Sequence, residues 1–282
     1  MKKLIQITES QVKMLKEAYT EGFDLKALDN MSGPEAYQYC VKMLGKPIGE
    51  GESRTVFTLN DYMVLKLAYS RLNPNETNEN GVHQNKREAR LFSMVRNVGL
   101  GHMLAKVYAH GENYMYIVSE SVLPCKEEDF EHIFGIPFSY EWKQSNGPEK
   151  IDNDKEGDKS IGYNKYFDGK KEPNEYYEGI TFYNILLTTV CLAEGFRPRG
   201  IPYETAVEIA NIIKKNKWFY DLYILCKNKG LRDVTMGVIA NGEETSIEER
   251  MKNLGMVNRN GKEQIVIMDS GFDDNYYQKY KS

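Results

Sequence analysis

Histidine and tryptophan are scarce in this chain of 282 residues, which carries four of the first and two of the second. No C-x-x-C pair occurs, and four scattered histidines give no zinc-type ligand spacing. The four cysteines, Cys40, Cys125, Cys191 and Cys226, lie far apart. They read as reduced thiols of a cytoplasmic protein rather than as a disulfide framework. No apolar run approaches the roughly 18 residues of a membrane span, so no membrane partner is expected. The opening MKKLIQITESQ has a basic start but not the sustained apolar stretch of a signal peptide. A surplus of positive charge is missing too: 37 Lys and Arg face 41 Asp and Glu, for a formal net charge of −4. That balance argues against a broad nucleic-acid-binding face, and no nucleic-acid partner is expected.

What remains is an ordinary globular composition, 41% hydrophobic and 28% charged, with length enough for one large domain or two small lobes. Thr8-Glu9-Ser10-Gln11 can cap a helix running to about Gly22. Gly33-Pro34 starts a second, over about 34–44, ended by Gly45. Strands are predicted at about 46–58 and 62–68 around an Asn60-Asp61 turn. A polar loop is predicted over Asn73–Gly81 and a helix over about 83–97, with Ala89, Phe92 and Val95 on one face. Strands at 105–110 and 114–119 flank Gly111-Glu112-Asn113, and a short helix covers 126–134. Residues 143–178 hold 16 charged side chains in 36 positions, which reads as a surface insertion. Helices are predicted at about 180–194 and 202–228, the second burying Ala206, Ile209, Ala210 and Ile213. A late hairpin, Leu254–Val257 and Gln264–Met268, turns at Asn258-Arg259-Asn260-Gly261.

Four features carry chemistry. In Ile48–Ala68, IGEGESRTVFTLNDYMVLKLA, the Gly49-x-Gly51 pair removes the Cβ atoms that would keep backbone amides from phosphates. Lys66 interrupts the apolar run V-L-K-L-A on the next strand. It is either a solvent-facing edge lysine or a lysine facing a phosphate. Glu88, in NKREARLF, is either a solvated helix charge or a carboxylate that holds Lys66. Asp269 follows Ile265-Val266-Ile267-Met268 and precedes Ser270-Gly271, either an ordinary turn or a hard oxygen ligand that suits Mg²⁺.

The order Gly-loop, strand Lys, helix Glu, hinge, late hairpin and Asp-x-Gly resembles the part order of the protein-kinase fold, most closely the kinase-like proteins encoded by bacteriophages. The matching text is EAYQYCVKMLGKPIGEGESRTVFTLNDYMVLKLA, GVHQNKREARLF, YMYIVSESVLP and NLGMVNRNGKEQIVIMDSGF, covering roughly 35–130 and 230–282. The resemblance implies an α+β, two-lobed protein-kinase-like fold with an N-terminal helical extension (1–45), an N-lobe (46–122) and a truncated C-lobe (123–282) carrying the 143–178 insertion. It implies ATP and Mg²⁺ as cofactors, phosphoryl transfer to a hydroxyl acceptor, and an acceptor protein of host or phage as partner. Gly49, Gly51, Ser53, Arg54 and Val56 resemble the phosphate-covering loop, with Arg54 in place of its third glycine, which implies either a stiffer loop or an arginine that reaches a phosphate. Lys66 resembles the lysine that holds the α- and β-phosphates, and Glu88 its helix partner. Glu120 and Val122 fall in the hinge that would meet adenine, over Ser119–Val122. Asn253 and Asp269 resemble the metal ligands, Asn241 being a weaker metal candidate. The base is Asp233, in GLRDVT, or Glu248, five residues before Asn253. Only 13 residues follow Asp269, which leaves no room for a peptide-docking platform. A small-molecule kinase and a nucleotide-binding pseudokinase acting through a partner are the alternatives.

Overall fold

The computed structural model describes residues 22–51, 53–72, 77–138, 180–193, 195, 201, 203–229 and 253–269. The helix expected from Thr8, the 143–178 insertion, and Asp233, Asn241 and Glu248 lie outside the described residues. Two compact units emerge, each α+β. The first runs to Leu123 and takes in a return that begins at Met268; the second runs from Pro124 to Ile267. No described helix is long and apolar enough to cross a membrane.

The first unit is built on a five-stranded antiparallel sheet, from β1 (Gly49–Glu50), β2 (Thr55–Asn60), β3 (Met63–Leu67), β4 (Val107–His110) and β5 (Tyr116–Glu120). Its order is β1-β2-β3-β5-β4. β3 lies at its centre, and all five of its residues are buried. Side chains alternate across a strand, so Met63, Leu65 and Leu67 share one face, and Val64 and Lys66 the other. The first face packs with Phe57, Leu59, Tyr116 and Val118 against Phe23, Leu25 and Leu28 and against Ala36, Tyr37 and Cys40 of helix α1 (Gly33–Leu44). Each fully buried side chain of this size contributes about 1.5–3 kcal/mol. Helix α1 starts at Ser32, whose N–H and Oγ both donate to the Glu35 carboxylate at 2.9 and 2.7 Å. It ends where Gly45 takes φ +87° and donates its N–H to the Val41 carbonyl. The Lys66 face meets helix α2 (Thr77–Arg96), whose buried side chains include Asn85, Glu88, Ala89, Phe92 and Val95.

Helix α2 starts earlier than its sequence suggests. The segment read as a loop through Gly81 is helical from Thr77, and Gly81 is buried against the sheet rather than placed in a turn. A Cβ on Gly81 would stand 2.5 Å from the Ser53 carbonyl oxygen and 2.8 Å from Ala68 Cα. Glycine is what lets α2 come this close.

After β6 (Leu123–Pro124), the second unit runs through helix α3 (Glu127–Phe134), α4 (Phe182–Ala193), α5 (Tyr203–Lys215) and α6 (Lys217–Lys229). The single helix expected over 202–228 is two. Asn216 breaks it: its side-chain oxygen accepts the Trp218 N–H at 2.9 Å, capping α6 as a new helix. Strands β7 (Leu254–Arg259) and β8 (Lys262–Ile267) form the late hairpin, in register from Leu254–Ile267 to Arg259–Lys262. Its turn residues Asn260 and Gly261 have φ +57° and +76°, the left-handed pair that two-residue hairpin turns favour. Phe130, Phe134, Phe138, Phe182, Trp218 and Phe219 form one aromatic cluster beneath these helices. The four cysteines are free and buried, and burial pushes the Cys40 and Cys125 thiols up to about 12.

Candidate functional site

Lys66 is the fourth residue of the central strand, paired with Val56 on one side and Ile117 on the other. It is 8% exposed, so the solvent-facing edge reading does not hold. A buried ammonium requires a partner, and α2 provides one: Lys66 Nζ donates to Glu88 Oε1 at 2.6 Å. It also donates to the Met268 carbonyl at 2.6 Å. Glu88 is likewise buried rather than solvated.

A second cation shares Glu88. Arg54 Nη1 donates to Glu88 Oε2 at 2.8 Å and to Asn85 Oδ1 at 3.2 Å, while Nη2 donates to Asp269 Oδ1 at 2.8 Å. Lys66, Glu88, Arg54 and Asp269 thus form one chain of ion pairs inside the first unit, with two positive and two negative charges. Burial opposes the charge on Arg54, but the Asp269 and Glu88 carboxylates outweigh it and hold the guanidinium pKa above its ordinary value. Asp269 is the most accessible member, its side chain 32% exposed against 3% for Glu88.

Asn85 closes the inner end. It lies one turn before Glu88 on the same face of α2, and its amide nitrogen donates to the carbonyls of Tyr114 at 3.0 Å and Lys66 at 3.4 Å. The amide therefore fixes both the backbone of β3 at Lys66 and the guanidinium of Arg54. Sequence reasoning missed Asn85; its signal is the three-residue spacing to Glu88.

The Gly49–Gly51 turn is held from both sides. Gly49 and Glu50 pair with Val56 and Thr55, and the Gly51 N–H donates to the Arg54 carbonyl at 2.9 Å. On one flank Ser53 Oγ donates to Gln84 Oε1 on α2 at 2.8 Å. On the other, the Glu50 carboxylate accepts the Arg71 N–H at 2.7 Å and its guanidinium at 3.2 Å. Burial would raise the Glu50 pKa, but the Arg71 bonds prevail and lower it. Arg71 also lies over the Tyr37 ring of α1, 5.0 Å from its centroid. The turn is thereby tied to α1 as well as α2. The Gly51 amide is already engaged within the turn, contrary to the expectation that it points at a ligand. Neither Gly49 nor Gly51 has positive φ, and a Cβ on Gly49 would meet Val56 at an ordinary 3.9 Å. Among the described residues, nothing demands glycine at either position.

In the Ser119–Val122 segment, the Glu120 carboxylate accepts the Lys106 backbone N–H at 3.1 Å, with Lys106 Nζ 3.8 Å away. Ser119 Oγ donates to the Lys106 carbonyl and the Ser121 N–H to the Tyr62 carbonyl. Val56 and Val122 are partly exposed. Asn253 is buried in the second unit, just before β7. Among the described residues, no group of three or more His, Cys, Asp or Glu could hold a metal ion by itself. No protein-family model, no curated protein and no solved structure matches the chain.

Proposed function

We propose that this chain binds ATP with Mg²⁺ on a protein-kinase-like fold and transfers the γ-phosphoryl group to a hydroxyl acceptor. The observation that carries the reading is the buried Lys66–Glu88 pair, an ammonium at the centre of a sheet held by a helix carboxylate. A structural lysine there would be a poor choice, because a buried ion pair is often no more stabilising than well-packed apolar residues. A lysine that must present a charge to phosphates accounts for it. The two glycines of the 49–51 turn agree, since neither their backbone conformation nor packing among the described residues requires them and a closely approaching ligand would.

Asp269 supplies a hard carboxylate oxygen, partly exposed, beside the Lys66–Met268 contact. Mg²⁺ is commonly held by one or two carboxylates together with substrate phosphates, so this donor fits the ion. When bound, Mg²⁺ would neutralise phosphate charge. The residues' own work is positional: Glu88 orients Lys66, Asn85 and Gln84 hold the loop to α2, and Arg71 restrains Glu50. Catalysis of this class rests on positioning and charge stabilisation. Asp233 is the proposed base, and Glu120 and Val122 are the proposed adenine contacts.

The test is transfer of labelled γ-phosphate from ATP to a host lysate or to the chain itself, in wild type and Lys66→Met. Label that depends on Lys66 supports the reading; equal label in a folded Lys66→Met protein refutes it. A nucleotide-binding pseudokinase is the second reading, favoured by the Arg54 guanidinium standing on the Asp269 carboxylate. It expects ATP binding without transfer.

A further inference from the structure

We propose that Arg54 is a built-in counter-cation of Asp269: its guanidinium covers that carboxylate in the absence of nucleotide and excludes free divalent metal, so that metal enters only together with phosphates. This rests on the reading of Asp269 as the metal-binding carboxylate and deepens it into a form of regulation.

The first support is the division of labour within the guanidinium. Nη1 holds Glu88 and Asn85, both buried, while Nη2 reaches Asp269, whose side chain is 32% exposed. The Nη2 arm therefore meets the open end of the chain of charges and the Nη1 arm its closed end. Asp269 can be released while Glu88 stays paired with both Arg54 and Lys66.

The second support is charge. Lys66 and Arg54 balance Glu88 and Asp269, so these four side chains carry no net charge among themselves. A bare divalent cation would have to displace the guanidinium and leave uncompensated positive charge in a largely buried site, which is costly. A cation carried by a triphosphate brings net negative charge, and the freed Nη2 can donate to a phosphate oxygen in place of Asp269. The side chain standing where the kinase loop pattern has its third glycine thus restricts the order of assembly.

The experiment titrates bare Mn²⁺, read by its paramagnetic resonance signal, into wild type, Arg54→Gln, Arg54→Gln/Asp269→Asn and Asp269→Asn. Arg54→Gln is expected to bind Mn²⁺ at least tenfold more tightly than wild type, and the double variant to lose that gain. Wild type and Asp269→Asn are expected to bind bare Mn²⁺ equally weakly. An Arg54→Gln protein that is folded by circular dichroism but gains no affinity, or a gain that survives Asp269→Asn, overturns the proposal. Should Arg54→Gln not fold, the wild-type comparison still decides: Mn²⁺ binding lost on Asp269→Asn would mean the carboxylate is open with Arg54 in place. A separate ATP·Mg²⁺ titration of wild type tests the functional reading, so the two can fail independently.

Discussion

Replacing Glu88 with glutamine probes the cluster at its centre. The Glu88 side chain is 3% exposed and accepts one charge-assisted bond from Lys66 at 2.6 Å and another from Arg54 at 2.8 Å. Bonds of this kind contribute about 1.5–3 kcal/mol each. Glutamine keeps the volume and one carbonyl acceptor, but it turns the other atom into a donor that faces a cation. The cluster's charge moves from zero to +1, with Asp269 the sole remaining anion of the four. Breaking a buried pair from one side costs about 3–5 kcal/mol, and that is the loss expected for Glu88→Gln. Lys66→Met acts differently. It leaves Glu88 still paired with Arg54 but takes the donor from the Met268 carbonyl, so a loss smaller than that of Glu88→Gln is expected. Urea unfolding followed by far-ultraviolet circular dichroism checks both. With a slope near 2 kcal/mol per molar, Glu88→Gln should lower the midpoint by about 2 M. A Glu88→Gln loss under about 1 kcal/mol, the range of exposed pairs, or one no larger than that of Lys66→Met, would refute the shared-carboxylate geometry.

Gly81→Ala should destabilise even though it lies in a helix. Alanine gains about 1 kcal/mol of helix propensity, but its Cβ would stand 2.5 Å from the Ser53 carbonyl oxygen, and overpacking of this kind costs about 1–3 kcal/mol. A higher melting temperature for Gly81→Ala would contradict that close approach. The Glu50–Arg71 tie predicts a pH dependence. Glu50's pKa lies below its ordinary value of 4.5 in the folded chain, so its contribution is complete above that value and is lost as pH falls through the folded pKa. Glu50→Gln should flatten the acid limb of stability against pH, measured by thermal melts between pH 3 and 6; an unchanged acid limb would count against the tie.

Much of the first unit was legible because its signals are local. Five apolar or apolar-flanked residues around Lys66 mark a buried strand, Gly33-Pro34 marks a helix start, and Asn60-Asp61 marks the turn between β2 and β3. The start of α2 was not legible, because Asn-rich polar residues before Gly81 imitate a loop when the helix is stabilised by packing against the sheet. The break at Asn216 was hidden for a related reason: the apolar spacing continues across it, and only the side-chain cap reveals two helices. At the site, Lys66 and Asp269 stand out in the sequence, each a charge beside or within an apolar run, while Glu88 lies among other charges and is picked out by the kinase-like part order. The part played by Arg54 does not stand out. Its partners Glu88 and Asp269 are 34 and 215 residues away, and no local pattern encodes which carboxylate a long side chain will reach.

The most direct measurement of the central claim is calorimetric titration of ATP, with Mg²⁺ present, into wild type and into Lys66→Met. Wild type should bind, and Lys66→Met should bind at least tenfold more weakly while its circular dichroism spectrum is unchanged. Failure of wild type to bind ATP, or equal affinity in the two proteins, would contradict the assignment of Lys66 to a phosphate.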